Sequence, residues 1–140
     1  MGARRMSGET ERVVRLARLV EVQSRKRQME EWRLGALKRE AVQLVETSAE
    51  ILASLGEQSL LNGLFLEGRA SALRRNEGLI VRNRSAQDHA EADLNAARGI
   101  EKRLERAAGD AAEAAARVRE QESLLSALDD FLTTRSASFE

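Results

Sequence analysis

From residue 16 to residue 55 the chain advances in alternating steps of four and three: Leu16, Val20, Gln23, Arg27, Glu30, Leu34, Leu37, Ala41, Leu44, Ser48, Ile51 and Leu55. A seam of that period, kept up over several heptads, is covered when a second helix lies along it. The chain supplies such a helix itself. A second ladder runs through Leu94, Ala97, Glu101, Leu104, Ala108, Ala111, Ala115, Val118, Glu122, Leu125, Asp129 and Leu132. Proline is absent, and Ala, Leu, Glu and Arg are abundant, so long uninterrupted helices are expected. The sequence therefore predicts an all-α fold, a long antiparallel two-helix coiled-coil hairpin with a short additional helix near the tip. It reads as one domain, with a first arm at about 10–55, a tip segment at about 57–78 and a return arm at about 79–134. Within the tip segment a short helix is expected at 57–75, followed by a turn at 76–78, where Asn76 and Gly78 favour a left-handed helix end.

Each seam alone is imperfect, and antiparallel pairing repairs both. With facing residue numbers adding to about 148, Leu34 meets Ala115, Leu37 meets Ala111 and Ile51 meets Ala97, large against small. Arg27 then faces Glu122 as an ion pair. Residues 1–45 hold 11 basic and 6 acidic side chains, a balance of +5, and residues 85–140 hold 7 and 12, a balance of −5. In the same register Arg15 and Arg18 approach Asp129 and Asp130. This reading of the charge asymmetry is preferred to a basic arm for nucleic acid.

One stretch does not follow the ladder. In "LASLGEQSLLNGLFLEG", residues 52–68, Leu60, Leu61, Leu64 and Phe65 lie among Gly56, Gly63 and Gly68. The facing segment 81–92 is too polar to cover them. Two readings stand: the run folds back on Leu73, Leu79 and Ile80 as a satellite core, or it docks on a protein partner. Arg74 and Arg75 lie just beyond it and are candidates to orient such a partner. Met29 and Trp32 fall off the main seam, with Val22 on a nearby turn. They are either extra packing or a partner anchor, Trp being the residue most enriched at binding hot spots.

Chemistry is poorly represented. Cysteine is absent, which excludes disulfides and thiolate catalysis or zinc ligation. The single histidine, His89, has only Asp88 and Glu91 beside it on a polar helix face, a weak metal set. There is no phosphate-binding loop. The acidic pairs Glu30-Glu31 and Asp129-Asp130 lack a desolvating cleft. The expectation is a protein with no enzymatic activity, cofactor or metal. The basic tip lacks the stacking aromatics of nucleic-acid binders. No run approaches the roughly 20 apolar residues that span a bilayer. No secretory signal or myristoylation pattern is read at the start, so a cytoplasmic location is expected and the sequon at Asn83 is taken as chance.

The segments "RVVRLARLVEVQSRKRQMEEWRLGALKRE" (12–40) and "RLERAAGDAAEAAARVREQESLLSALDDFL" (103–132), together with the chain length, give a layout that resembles the flagellar and type III secretion export stalk family (the FliJ/YscO type). That resemblance implies a cytoplasmic coiled-coil stalk at the membrane-associated export machinery. It would enter the export ATPase ring, connect it to an export gate component and contact export chaperones. Coupling would be mechanical and allosteric. Two rival expectations are a helical export chaperone that holds substrate on residues 60–66, and a general coiled-coil scaffold.

Overall fold

The computed structural model describes residues 2–56 and 65–138, with side chains from residue 8 onward. Two helices account for nearly all of them: α1, Gly2–Gly56, and α2, Leu66–Ala137. They pack against each other as an all-α helical hairpin. Both outrun the expected arms, because nothing in either segment stops a helix: proline is absent, and no described glycine takes a positive φ. α2 opens favourably for its dipole, with Glu67 in the first turn and the Phe65 carbonyl accepting from the Arg69 N–H at 2.9 Å.

The reversal does not fall at 76–78. α1 ends at Gly56 and α2 begins at Leu66, so Asn76 and Gly78 lie inside α2. Residues 66–75 of the expected short helix are the first turns of α2, and its residues 57–64 lie outside the described residues. Asn76 does not cap a helix. Its side chain is 7% exposed, and its amide donates across to α1, to the Leu44 carbonyl at 2.7 Å and the Ser48 hydroxyl at 2.6 Å.

The seam positions themselves are as read. Every ladder residue of α1 is turned at least partly inward, and so is every ladder residue of α2 as far as Glu122. Their register differs. Asn83 donates to the Leu37 carbonyl at 3.0 Å, so Leu37 faces Asn83, not Ala111, a displacement of four heptads along α2. The pairings of Leu34 with Ala115 and Ile51 with Ala97 fall with it. Arg27 bonds Glu31 of its own helix at 2.9 Å, and the buried Oε1 of Glu122 has no hydrogen-bond partner, so the expected Arg27–Glu122 pair is absent.

The chain divides into two compact units, Lys26–Arg98 and Met1–Arg25 with Gly99–Glu140. In the first, Ala90, Leu94 and Ala97 are buried, and the two asparagine bonds hold the register. Arg98 to Glu31 at 3.4 Å and Arg33 to Asp93 at 3.6 Å add exposed ion pairs between the helices. Arg69 donates to the Ser54 carbonyl at 3.0 Å, joining the helices beside the connection. In the second unit Ala111, Ala115 and Val118 are buried. Alanine carries most of the core in both because a methyl side chain lets the facing helix approach until it is covered. The longer α1 residues spread around it and stay half-exposed.

Candidate functional site

Binding surfaces on a two-helix hairpin are the faces left over once the seam is filled. The unit Lys26–Arg98 has two. On α1, Met29 and Trp32 stand one turn apart and are 71% and 72% exposed, the highest values among its large apolar side chains. Their exposure follows from the phase of the helix: Arg27, Glu30 and Leu34 occupy the seam, and positions 29 and 32 project away from it. Neither side chain is packed within the chain. Beside it, Glu31 receives Arg27 at 2.9 Å and Arg98 at 3.4 Å. The Arg27 hydrogen bond, with the charges of both guanidinium groups, holds the Glu31 carboxyl below the usual glutamate value.

The second face lies at the start of α2. Phe65 and Leu66 are 60% and 53% exposed, and Arg74 and Arg75 line a shallow groove with Gly78, Leu79 and Arg82. Arg74 also meets Glu67 at 3.7 Å and the Ser71 hydroxyl at 3.3 Å, so it is partly committed within its own helix. The satellite core expected on Leu73, Leu79 and Ile80 does not enclose Phe65. Leu60, Leu61 and Leu64 lie outside the described residues.

The structure does not bring these candidates into one site. Arg74 and Arg75 lie near the level of Ser48 on α1, which Asn76 bonds. Trp32 is 16 residues away along the same helix, roughly 24 Å at 1.5 Å per residue. They are two patches.

The unit formed by residues 1–25 and 99–140 holds what the sequence reading missed. Leu125 and Leu132 were placed in the seam, yet they are 61% and 52% exposed, as are Leu124, Leu128 and Phe131 at 67%, 53% and 61%. All residues from 123 to 138 are exposed. Arg15 and Arg18 do not reach Asp129 and Asp130. They line a groove on the outer face of α1 with Val14, Leu19 and Val22. The missed signal was in "SLLSALDDFL", whose apolar residues occupy both the seam and the neighbouring helix positions, more than one partner helix covers.

Nothing gathers for chemistry among the described residues. No group of three or more His, Cys, Asp or Glu side chains comes together. His89 Nδ1 lies 2.9 Å from the Ser85 carbonyl, one turn back on its own helix. The Asn83 side chain is 5% exposed and bonded to both Leu37 and Gln87, so its sequon is closed to modification in the folded chain. No described helix is long and apolar enough to cross a membrane. Comparison with protein-family models, curated proteins and solved structures finds no match to this chain.

Proposed function

We propose that the chain is a protein-binding helical hairpin without chemistry of its own, which acts as a stalk or coupling element of a flagellar or type III protein export apparatus. The observation that carries the binding reading is the exposed Met29–Trp32 pair. A tryptophan 72% open to water on an ordered helix is an anchor awaiting a pocket, since its burial gains far more than that of a polar residue. A helical hairpin with such an outward anchor suits insertion into a protein ring. The resemblance of residues 12–40 and 103–132 to the export stalks directs the assignment to an export ATPase on one side and an export gate component on the other. In this reading the chain works in the cytoplasm at the membrane-associated machinery, without inserting into the bilayer.

The test is titration of the purified chain into a hexameric flagellar or injectisome export ATPase, following both binding and ATP turnover. Binding that falls at least tenfold in Trp32→Ala, with helical content unchanged, is the expected result. Failure of the unaltered chain to bind any such ATPase or gate component would overturn the export assignment. Binding indifferent to both Trp32→Ala and Met29→Ala would overturn the choice of face.

A further inference from the structure

We infer that, with Met29 and Trp32 as the binding face proposed above, the outer side of α1 in the unit Lys26–Arg98 receives one amphipathic helix of a partner protein, whose apolar stripe is bordered by carboxylates. This holds whichever machinery the partner belongs to. The first observation is a second ladder. Steps of three and four run through Met29, Trp32, Ala36 and Arg39, on the side of α1 turned away from α2. At 100° per residue these four positions fall within about 80° of the helix surface, the width of a seam that a single helix covers. A bilayer would gain little from two large apolar side chains on so narrow a face.

The ladder also has relief. Met29 and Trp32 project, while Gly35 and Ala36, one turn on, are small, so a side chain of a facing helix fits between Trp32 and Arg39. Gly35 has no positive φ, so its backbone does not call for a glycine. The guanidinium of Arg39 folds back over it, with Nη1 3.4 Å from the place a Cβ would take. A cation therefore stands at the rim of the dent. α2 lies on the opposite side of α1, and Met29 and Trp32 stay open to water.

Charge selects the occupant. Residues 26–39 hold five basic and two acidic side chains. Both acids are taken up within the hairpin: Glu30 lies in the seam, and Glu31 receives Arg27 and Arg98. Arg33 meets Asp93 at 3.6 Å. Lys26, one turn before Met29, and Arg39, one turn after Ala36, meet no carboxylate among the described residues. The sign then reverses along α1, where Glu40, Glu46 and Glu50 are all exposed. A helix bordered by carboxylates is attracted to Lys26 and Arg39 and repelled from the stretch beyond, which holds it at the level of Trp32.

The test uses the full chain, in which Trp32 is the only tryptophan and its fluorescence reports this face directly. The probes are two synthetic three-heptad helices with leucine at the seam positions, one bordered by glutamate and the other by lysine, and vesicles of phosphatidylcholine with phosphatidylglycerol. The glutamate helix should shift Trp32 emission to the blue and bind at least about tenfold more tightly than the lysine helix, by a margin that shrinks as salt rises. Lys26→Glu combined with Arg39→Glu, both exposed positions, should reverse that preference with helical content unchanged by circular dichroism. Ala36→Lys should fill the dent and weaken binding of the glutamate helix by at least about tenfold. Equal binding of the two helices, or a preference untouched by the double charge reversal, would overturn the acidic partner while leaving Trp32 a binding residue. A shift produced by the vesicles alone, or one that grows with the chain's own concentration, would give the face to lipid or to a second copy and overturn the inference. Silence of Trp32 toward every probe would overturn it too, whereas the export assignment fails separately, when no export ATPase or gate component binds the chain.

Discussion

Asn76 and Asn83 are one heptad apart on α2, and their acceptors, the Leu44 and Leu37 carbonyls, are one heptad apart on α1. This matched ladder should fix the register, and the claim separates cleanly from stability. The two acceptor carbonyls are helix-interior and keep their own intrahelical partners, so removing an asparagine leaves no orphaned acceptor there. Asn→Ala at either site loses a hydrogen bond worth about 0.5–1.5 kcal/mol net and leaves a small void, so a cost of about 1–2 kcal/mol is expected. Asn→Leu loses the same bond but buries a leucine side chain worth about 1.5–3 kcal/mol, for a net gain of about 1 kcal/mol at each site. The double leucine variant should therefore melt higher than the parent and yet be less uniquely paired. The assay combines thermal unfolding with cysteine cross-linking. Ala41→Cys with Ile80→Cys reports the observed register, and Ala41→Cys with Gln87→Cys reports a one-heptad slip. In the parent only the 41–80 pair should close, and in the Asn76→Leu/Asn83→Leu background both should. If the leucine background cross-links only at 41–80, the asparagines do not set the register and the reasoning fails.

Glu31 has its carboxyl held below the usual glutamate range by Arg27 and Arg98, so its contribution is present above that range and is lost as pH falls through the folded-state value. Glu31→Gln should flatten the acid side of a stability-versus-pH profile, and an unchanged profile would discard the assignment. The buried, unpartnered Oε1 of Glu122 should make Glu122→Leu more stable by about 1–3 kcal/mol in denaturant titration; a loss of stability would show that the carboxylate has a partner when folded. Ala97 is 2% exposed against the facing helix, so Ala97→Leu should cost about 1–3 kcal/mol by overpacking, where the exposed Ala92→Leu should cost almost nothing.

The seams were legible and their alignment was not, for a physical reason. Steps of three and four state which residues face inward, but a heptad pattern looks the same after a shift of seven. The alanines at 90, 97, 108, 111 and 115 make this worse, since each is an equally good small partner for a leucine of α1. A slip of four heptads therefore leaves the inward positions unchanged while it changes their partners, Leu37 and Leu44 meeting Asn83 and Asn76 in place of apolar residues. The residues that break the degeneracy, Asn76 and Asn83, are polar, and beside Gly78 the first read as a turn. The three glycines at 56, 63 and 68 were the better boundary signal: Gly56 closes α1, and Gly68 lies in the first turn of α2. Met29 and Trp32 were legible as off-seam residues because phase alone decides that. The exposure of Leu125 and Leu132 was hidden by the register error, which supplied them with partners they lack.

The asparagine bonds also have a place in time. They join residues separated by only 32 and 46 positions in the chain, whereas contacts further from the connection span progressively longer loops. Closing a shorter loop costs less chain entropy, so these pairs can form before the distant ends of the helices meet. A misaligned zipper of alanine and leucine would be slow to undo once long. With the alignment checked at its first few turns by two directional bonds, a wrong start is abandoned while it is still short. The prediction of this picture is kinetic: Asn76→Ala should act mainly on the refolding rate, and a change confined to the unfolding rate would place these bonds late in folding.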